Sequence, residues 1–423
     1  MSEEFLQFLW KFGYYRKDLL VSTRGERLEV LKSGEWNSNA GPDFFNAQIK
    51  IEDTLWAGNV EIHIKSSDWI RHGHNNDKAY SNVILHVVLQ NDISIKSPDG
   101  NEIPALELKY DPAFESRYHQ LMLNKKWVAC ESFLPGINKF EIHFWLGKLA
   151  VERLSTKSES ILQSLKETNN NWEESFYIQI ASSFGLKENT LIFGMLAKSL
   201  PLKILAKHKN NLFQIEALLF GQAGMLNEVL LGDEYFEALK KEYLFLQKKY
   251  LLKPIQYHLW KYLRLRPSNF PEVRIAEFAG LIYNSSALFS KILENSNLKK
   301  LRDLLQVSAS EYWDVHYRFN HVAQKMKKQL GASSINSILI NTIIPFIFVY
   351  GNQKGLVEYK ERAIAFLEEM KAEKNSIIKK WNELGIESPN AFYSQALIQL
   401  KREYCENLKC INCKIGNEII ISK

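Results

Sequence analysis

Between residues 43 and 86 the chain collects most of the side chains able to do chemistry: Asp43, Glu61, His63, Lys65, Asp68, His72, His74 and His86. Four of the ten histidines fall in the 24 residues from His63 to His86, where uniform scatter would leave fewer than one. Imidazoles together with carboxylates suit Zn²⁺, Mn²⁺ or Fe²⁺. Asp43 and Glu61 stand 18 residues apart, and two carboxylates meeting at one strand end are what a hard ion such as Mg²⁺ requires. Either set would recruit water for hydrolysis.

Elements that can position these residues are legible nearby. Runs rich in β-branched and aromatic residues, Phe44–Ile51, Trp56–Lys65, Val83–Gln90, Ile93–Lys96 and Ala105–Tyr110, predict strands. Turn residues at 52–54 and 97–101 separate them, and meander-like antiparallel pairing is expected. In a hairpin of 44–51 with 56–65, the two-residue period puts Glu61, His63 and Lys65 on one face and Val60, Ile62 and Ile64 on the other. Asp43, at the start of the neighbouring strand, then approaches Glu61. The loop 66–77 adds Asp68 and Asp77, and Gly73 frees the backbone between His72 and His74. A plainer account has Asp43 opening a turn, His86 as a satisfied strand residue, and His72 and His74 as polar loop residues.

Pro42-Asp43, the hairpin that follows, and Glu61 with His63 or Lys65 resemble the active-site signature of the PD-(D/E)XK nuclease superfamily. The resemblance implies a restriction-endonuclease-like core, Asp43 and Glu61 as ligands of Mg²⁺ or Mn²⁺, and hydrolysis of phosphodiester bonds in nucleic acid. It also implies a catalytic part for His63 or Lys65, because the lysine that orients or activates water in that superfamily is replaced here by His63. Two other readings stay open. One is a non-catalytic nucleic-acid or protein-binding adaptor with a decayed site; the other is a transition-metal site at His63, His72, His74, His86 and Asp68 acting on a small molecule. A wider pattern, Trp36-Asn37, Gly41 to Phe44, Asp68-Trp69 with His72 to His74, Val83 to Val88, Arg264 to Pro271 and the Cys-rich end, resembles an uncharacterised bacterial family, domain of unknown function 2851. That family implies no reaction.

Past about Lys139 the pattern changes to apolar residues three and four apart, such as Phe144, Leu146, Leu149, Ala150 and Leu154, which predicts helices. Further helices are expected over Thr190–Leu200, Ile215–Leu231, Tyr235–Tyr250, Pro271–Glu294, Leu298–Val307, Ile335–Tyr350, Val357–Leu384 and Asn390–Cys405. The expected fold is α+β: a mixed β-sheet domain over residues 1–135 and a larger all-helical domain over 136–423 ending in a Cys-rich segment.

Only four cysteines occur in the 423 residues, too few for a disulfide framework. Cys405, Cys410 and Cys413 lie within nine residues and, with Cys130 as a fourth, could hold Zn²⁺ or an iron–sulfur cluster; apolar packing is the alternative. Arg264 and Arg266 precede a helix carrying Arg274, and guanidinium forks at a helix start suit phosphate. Residues 1–110 carry 12 Lys/Arg against 16 Asp/Glu, a net of −4, so +10 of the overall +6 belongs to the rest, permitting a nucleic-acid partner there. Residues 1–17 lack the basic start and unbroken apolar run of an export signal. Ile335–Tyr350, interrupted by Asn336, Ser337, Asn341 and Pro345, reads as a core helix kinked at the proline rather than a membrane span. A cytoplasmic protein without a membrane partner is expected.

Overall fold

A strand that feeds a parallel neighbour must leave the sheet and return through a crossover of a dozen residues or more, whereas an antiparallel neighbour needs only a turn. Both kinds of connection occur. The computed structural model describes residues 2–37, 39–226 and 232–422. It divides into two units, one of Met1–Leu146 with Lys380–Ile386 and Leu400–Lys423, the other of Gly147–Lys379 with Glu387–Gln399. The division falls inside a helix, and the C-terminal segment belongs with the first unit rather than with the helices before it.

In the first unit, helix α1 (Glu3–Phe12) precedes strands β1 (Leu28–Lys32), β2 (Glu35–Trp36), β3 (Phe44–Ile51), β4 (Thr54–Lys65), β5 (Val83–Gln90) and β6 (Ala105–Glu107). The sheet order is β1-β3-β4-β5-β6, with β2 alongside β3. Pairing is antiparallel as far as β4, then parallel from β4 to β5 and from β5 to β6. The expected meander is therefore corrected beyond β4. Residues 66–82 wind into helical turns, including α2 (Asp68–Arg71), and carry the chain back to the starting edge. Ile93–Lys96 forms no strand among the described residues; Lys96 makes a lone bridge to Glu102. The register Lys50↔Leu55 and Ile51↔Thr54 closes β3 and β4 with Glu52 at φ 50°, a tight turn of the kind Glu52-Asp53 anticipates.

Burial along β4 changes halfway. Thr54 to Ala57 are exposed, and Gly58 to His63 are buried, so the second half is covered on both faces. Gly58 makes that possible: a Cβ there would overlap the Ile84 side chain and stand 2.7 Å from the Asn82 carbonyl oxygen. Helix α1 turns Phe5, Leu6, Phe8, Leu9 and Trp10 inward, and the Trp10 indole donates to the Ser33 carbonyl at 2.9 Å. Helix α3 (Pro112–Leu123) and the C-terminal helix Lys414–Ile421 are tied by Arg117 Nε donating to the Ile420 carbonyl at 2.9 Å.

The second unit is helical apart from a two-stranded ribbon, His316–Arg318 with His321–Val322. The expected helix Pro271–Glu294 is broken after Asn284, where Ala287 adopts φ 51°, and Val357–Leu384 is broken between Glu369 and Ser376. Of the expected Ile215–Leu231, a helix covers Leu212–Gln222, and 227–231 lie outside the described residues. The apolar segment around Pro345 forms one helix, Ala332–Lys354, with a π turn over Leu339–Ile343 that accommodates the proline. It is longer than expected, and by length and composition alone it could cross a membrane, but 67% of its apolar window is buried within the unit, as in the core helix expected.

Gly58→Ala is expected to lower unfolding free energy by about 1–3 kcal/mol through overpacking. Urea unfolding measures it; an unchanged midpoint would show that β4 and β5 do not need this close approach.

Candidate metal centre

The buried half of β4 presents Glu61 and His63 on one face, 5% and 1% exposed. Parallel pairing sets His86 of β5 directly beside Glu61 and Val88 beside His63, and directly paired residues share a face. On the other side of β4 a bulge intervenes: Phe44 pairs Val60 while Ala47 pairs Gly58, so three steps along β3 match two along β4, with Asn46 at φ 55°. The bulge brings Asp43 opposite Glu61. The Asp43 amide donates to Glu61 Oε2 at 3.0 Å, and the Ile62 amide donates to Asp43 Oδ2 at 3.0 Å. The remaining Asp43 oxygen accepts from Gln7 of α1 at 2.8 Å.

His72 and His74 arrive from the crossover. Gly73, at φ 78°, turns the chain between them, and the Asp77 carboxylate accepts from the Ala79 amide to hold the next turn. His74 stacks on Tyr80 with ring centres 3.8 Å apart, and Trp69 packs edge-on against both rings. The consequence is convergence. One ring nitrogen each of His63, His72 and His74 lies within 4.8 Å of the others. Glu61 Oε1 stands 3.2 Å from His74 Nε2 and 3.6 Å from His63 Nε2, and His63 Nε2 stands 3.1 Å from His72 Nδ1. His63 Nδ1 meets His86 Nε2 at 2.8 Å.

The donor set fits a transition ion. Three imidazoles and a carboxylate oxygen suit Zn²⁺, Mn²⁺ or Fe²⁺ rather than Mg²⁺, which prefers oxygen alone. His86 acts on His63 rather than joining the donors. With a proton on His63 Nδ1 directed at His86 Nε2, the His63 Nε2 lone pair is left facing His72, His74 and Glu61, which is the outer support metal-binding imidazoles need. His86 Nδ1 and Trp69 Nε1 are buried without a partner in the structure. Burial drives the protonation states: it pushes His63 down to about 2, helped by the other three rings, and His86 down to about 3. It pushes Asp43 up to about 7, reinforced by Glu61, and Glu61 up to about 8.

Other expected site residues sit elsewhere. Lys65 is exposed on the strand end, lining an open cleft with Glu3, Ser67, Asp68, Arg71 and His72. Asp68 is turned away from the imidazoles; it accepts from the Lys65 amide at 3.1 Å and pairs with Arg71 at 2.9 Å. In the second unit, Arg264 and Arg266 are exposed, but Arg274 is buried against Glu277 at 3.0 Å, Asn269 at 2.9 Å and Ser334 at 2.8 Å. The phosphate role expected of Arg274 is thereby removed, because the side chain is buried and both its terminal nitrogens are taken inside the protein. Gln7 and Tyr80 went unanticipated: neither residue type signals a site, and their distance from the histidines along the chain hides their contact with it.

A family model described as "Protein of unknown function (DUF2851)" matches residues 3–376. The chain belongs to this family. The match takes in Gln7, Asp43, Glu61 and all four clustered histidines of the DUF2851 chain, and it ends before Cys405, Cys410 and Cys413, so the Cys-rich end lies beyond the resemblance. Neither the curated proteins nor the solved structures contain a match.

In metal-free protein, Asp43 and Glu61 hold protons more tightly folded than unfolded. Their contribution to stability is full below about pH 4 and is lost as pH rises through about 7 to 8. His63 and His86 have the opposite sign, contributing above about pH 6.5 and losing that contribution as pH falls towards about 3. Melting temperature in chelator is expected to peak between these limits, and Glu61→Gln to flatten the alkaline limb alone; an unaltered alkaline limb in that variant would refute the assignment. For the outer support, Mn²⁺ titration of His86→Ala is expected to show about 10–100-fold weaker binding at unchanged stoichiometry, whereas unchanged affinity would leave His86 without that role.

Proposed function

We propose that the chain is a metal-dependent hydrolase of phosphodiester bonds in nucleic acid, built on a restriction-endonuclease-like core, with His63, His72, His74 and Glu61 as the metal-holding set. The meeting of the three imidazoles, with Glu61 against His63 and His74 and held by the Asp43 amide, is the observation that carries the reading. A divalent transition ion there would supply Lewis acidity and an activated water.

The chain's own residues divide the remaining work. Glu61 sits with one oxygen on the Asp43 amide and the other facing the imidazoles, so its orientation is set before any ligand arrives. Asp43, held by an amide and by Gln7, has a carboxyl that burial brings close to neutrality, suited to taking or returning a proton near pH 7. His72 is exposed and marks the open side, where Lys65 and Arg71 stand beside the cleft as cations for a phosphate.

This reading keeps Asp43 and Glu61 of the nuclease signature and replaces its lysine with His63. It favours Mn²⁺, Zn²⁺ or Fe²⁺ over the Mg²⁺ that the signature alone implies. The small-molecule alternative shares the same centre, and the adaptor shares the same fold, so activity separates them.

Chelated protein reloaded with Mn²⁺, Zn²⁺ or Fe²⁺ is expected to cleave single- or double-stranded DNA or RNA, with Glu61→Gln and His74→Ala each lowering kcat/KM by about 100-fold or more. Hydrolysis of small phosphodiesters without cleavage of nucleic acid would move the substrate to a small molecule. Binding of nucleic acid without turnover under every ion would leave the adaptor.

A further inference from the structure

All four cysteines of the chain line one cavity of the first unit, although Cys130 and Cys405 are 275 residues apart in sequence. None forms a disulfide. The rest of the lining is largely apolar, with Ala129, Leu400, Ile415 and Gly416 among it. Four thiols gathered from separate segments exceed what apolar packing asks of this residue type, for which any small side chain would serve.

The backbone around them is shaped for the purpose. Cys405 ends a π-helical turn, Leu400–Cys405, a departure from α geometry that recurs at functional sites. Cys410 opens a tight turn, Cys410–Asn412, closed by the Cys413 amide donating to the Cys410 carbonyl at 3.2 Å. A Cβ on Gly416 would overlap the Cys410 carbonyl, so the glycine is what lets this turn meet the helix Lys414–Ile421. Burial pushes the Cys413 thiol up, and the amides of Gly416 and Ile415 with the Trp145 indole oppose that rise by favouring the thiolate. N–H donors of this kind stabilise sulfur as a thiolate ligand and tune a cluster bound to it.

Four thiolates are the ligand set of one Zn²⁺, held at about 2.3 Å, or of an iron–sulfur cluster.

We propose that Cys130, Cys405, Cys410 and Cys413 bind a thiolate-ligated metal centre, one Zn²⁺ or an iron–sulfur cluster, that fastens the C-terminal segment, Leu400 onward, to the rest of the first unit. The centre is structural, and it is separate from the imidazole centre, with which it shares no residue.

The test is made on full-length protein purified without oxygen, by iron, acid-labile sulfide and zinc analysis, visible absorbance, and electron paramagnetic resonance after reduction. One zinc per chain, or iron and sulfide in matching amounts of about two to four of each, is expected, with the same content in His63→Ala, which removes any ion at the imidazoles; sulfide and visible absorbance mark the cluster and their absence the single zinc. Cys130→Ser is expected to lose most of that metal. Four freely titrating thiols with neither metal would overturn the proposal. Because the decisive signal is read on the wild type, a variant that fails to fold does not obscure the result.

Discussion

Everything at the imidazole centre depends on the parallel pairing of β4 with β5. That pairing covers the second half of β4 on both faces, and so takes Glu61 and His63 out of water. It also sets His86 at the one position from which its ring can hold His63 Nδ1. A parallel partner cannot be reached by a short turn, so the chain must spend residues 66–82 on a crossover. His72 and His74 ride on that crossover. The topology that buries the site thus also delivers half of its donors.

Burying such a set is costly, and the arrangement shows how the cost is limited. An ionised carboxylate or imidazolium in a dry interior carries a large desolvation penalty, so such groups neutralise or find a partner. Here the two carboxyls are pushed towards the protonated form and the two innermost imidazoles towards the neutral form. Three imidazole nitrogens meet here with Glu61 Oε1 against two of the rings, and a cation there would compensate both carboxylates at once.

The helical unit handles buried charge by pairing instead. Arg274 and Glu277 lie 3.0 Å apart with almost no exposure, and Asn269 and Ser334 take the other guanidinium nitrogen. Glu216 is bound by the Tyr235 and Ser310 hydroxyls. These carboxylates and the terminal nitrogens of Arg274 are held by one another and by neighbouring side chains. The contrast is with the first unit, where buried carboxylates stand against imidazoles rather than against a guanidinium.

The sequence by itself determined the α+β division into a sheet and a larger helical region, three of the main strands nearly to the residue, the alternation that puts Glu61 and His63 on one face, and the crowding of histidines near them. Each of these is local: periodicity, turn chemistry and composition are properties of neighbours in the chain. What only the tertiary structure decided is non-local. The parallel register of β5 could not be read because a buried parallel strand looks like any apolar run. The bulge at Asn46, which faces Asp43 towards Glu61, follows from two strands fitting together. The inward burial of Arg274 depends on Ser334, 60 residues away. The meeting of Cys130 with a segment 275 residues later is decided by where the chain's end packs, and no pattern within either segment encodes it.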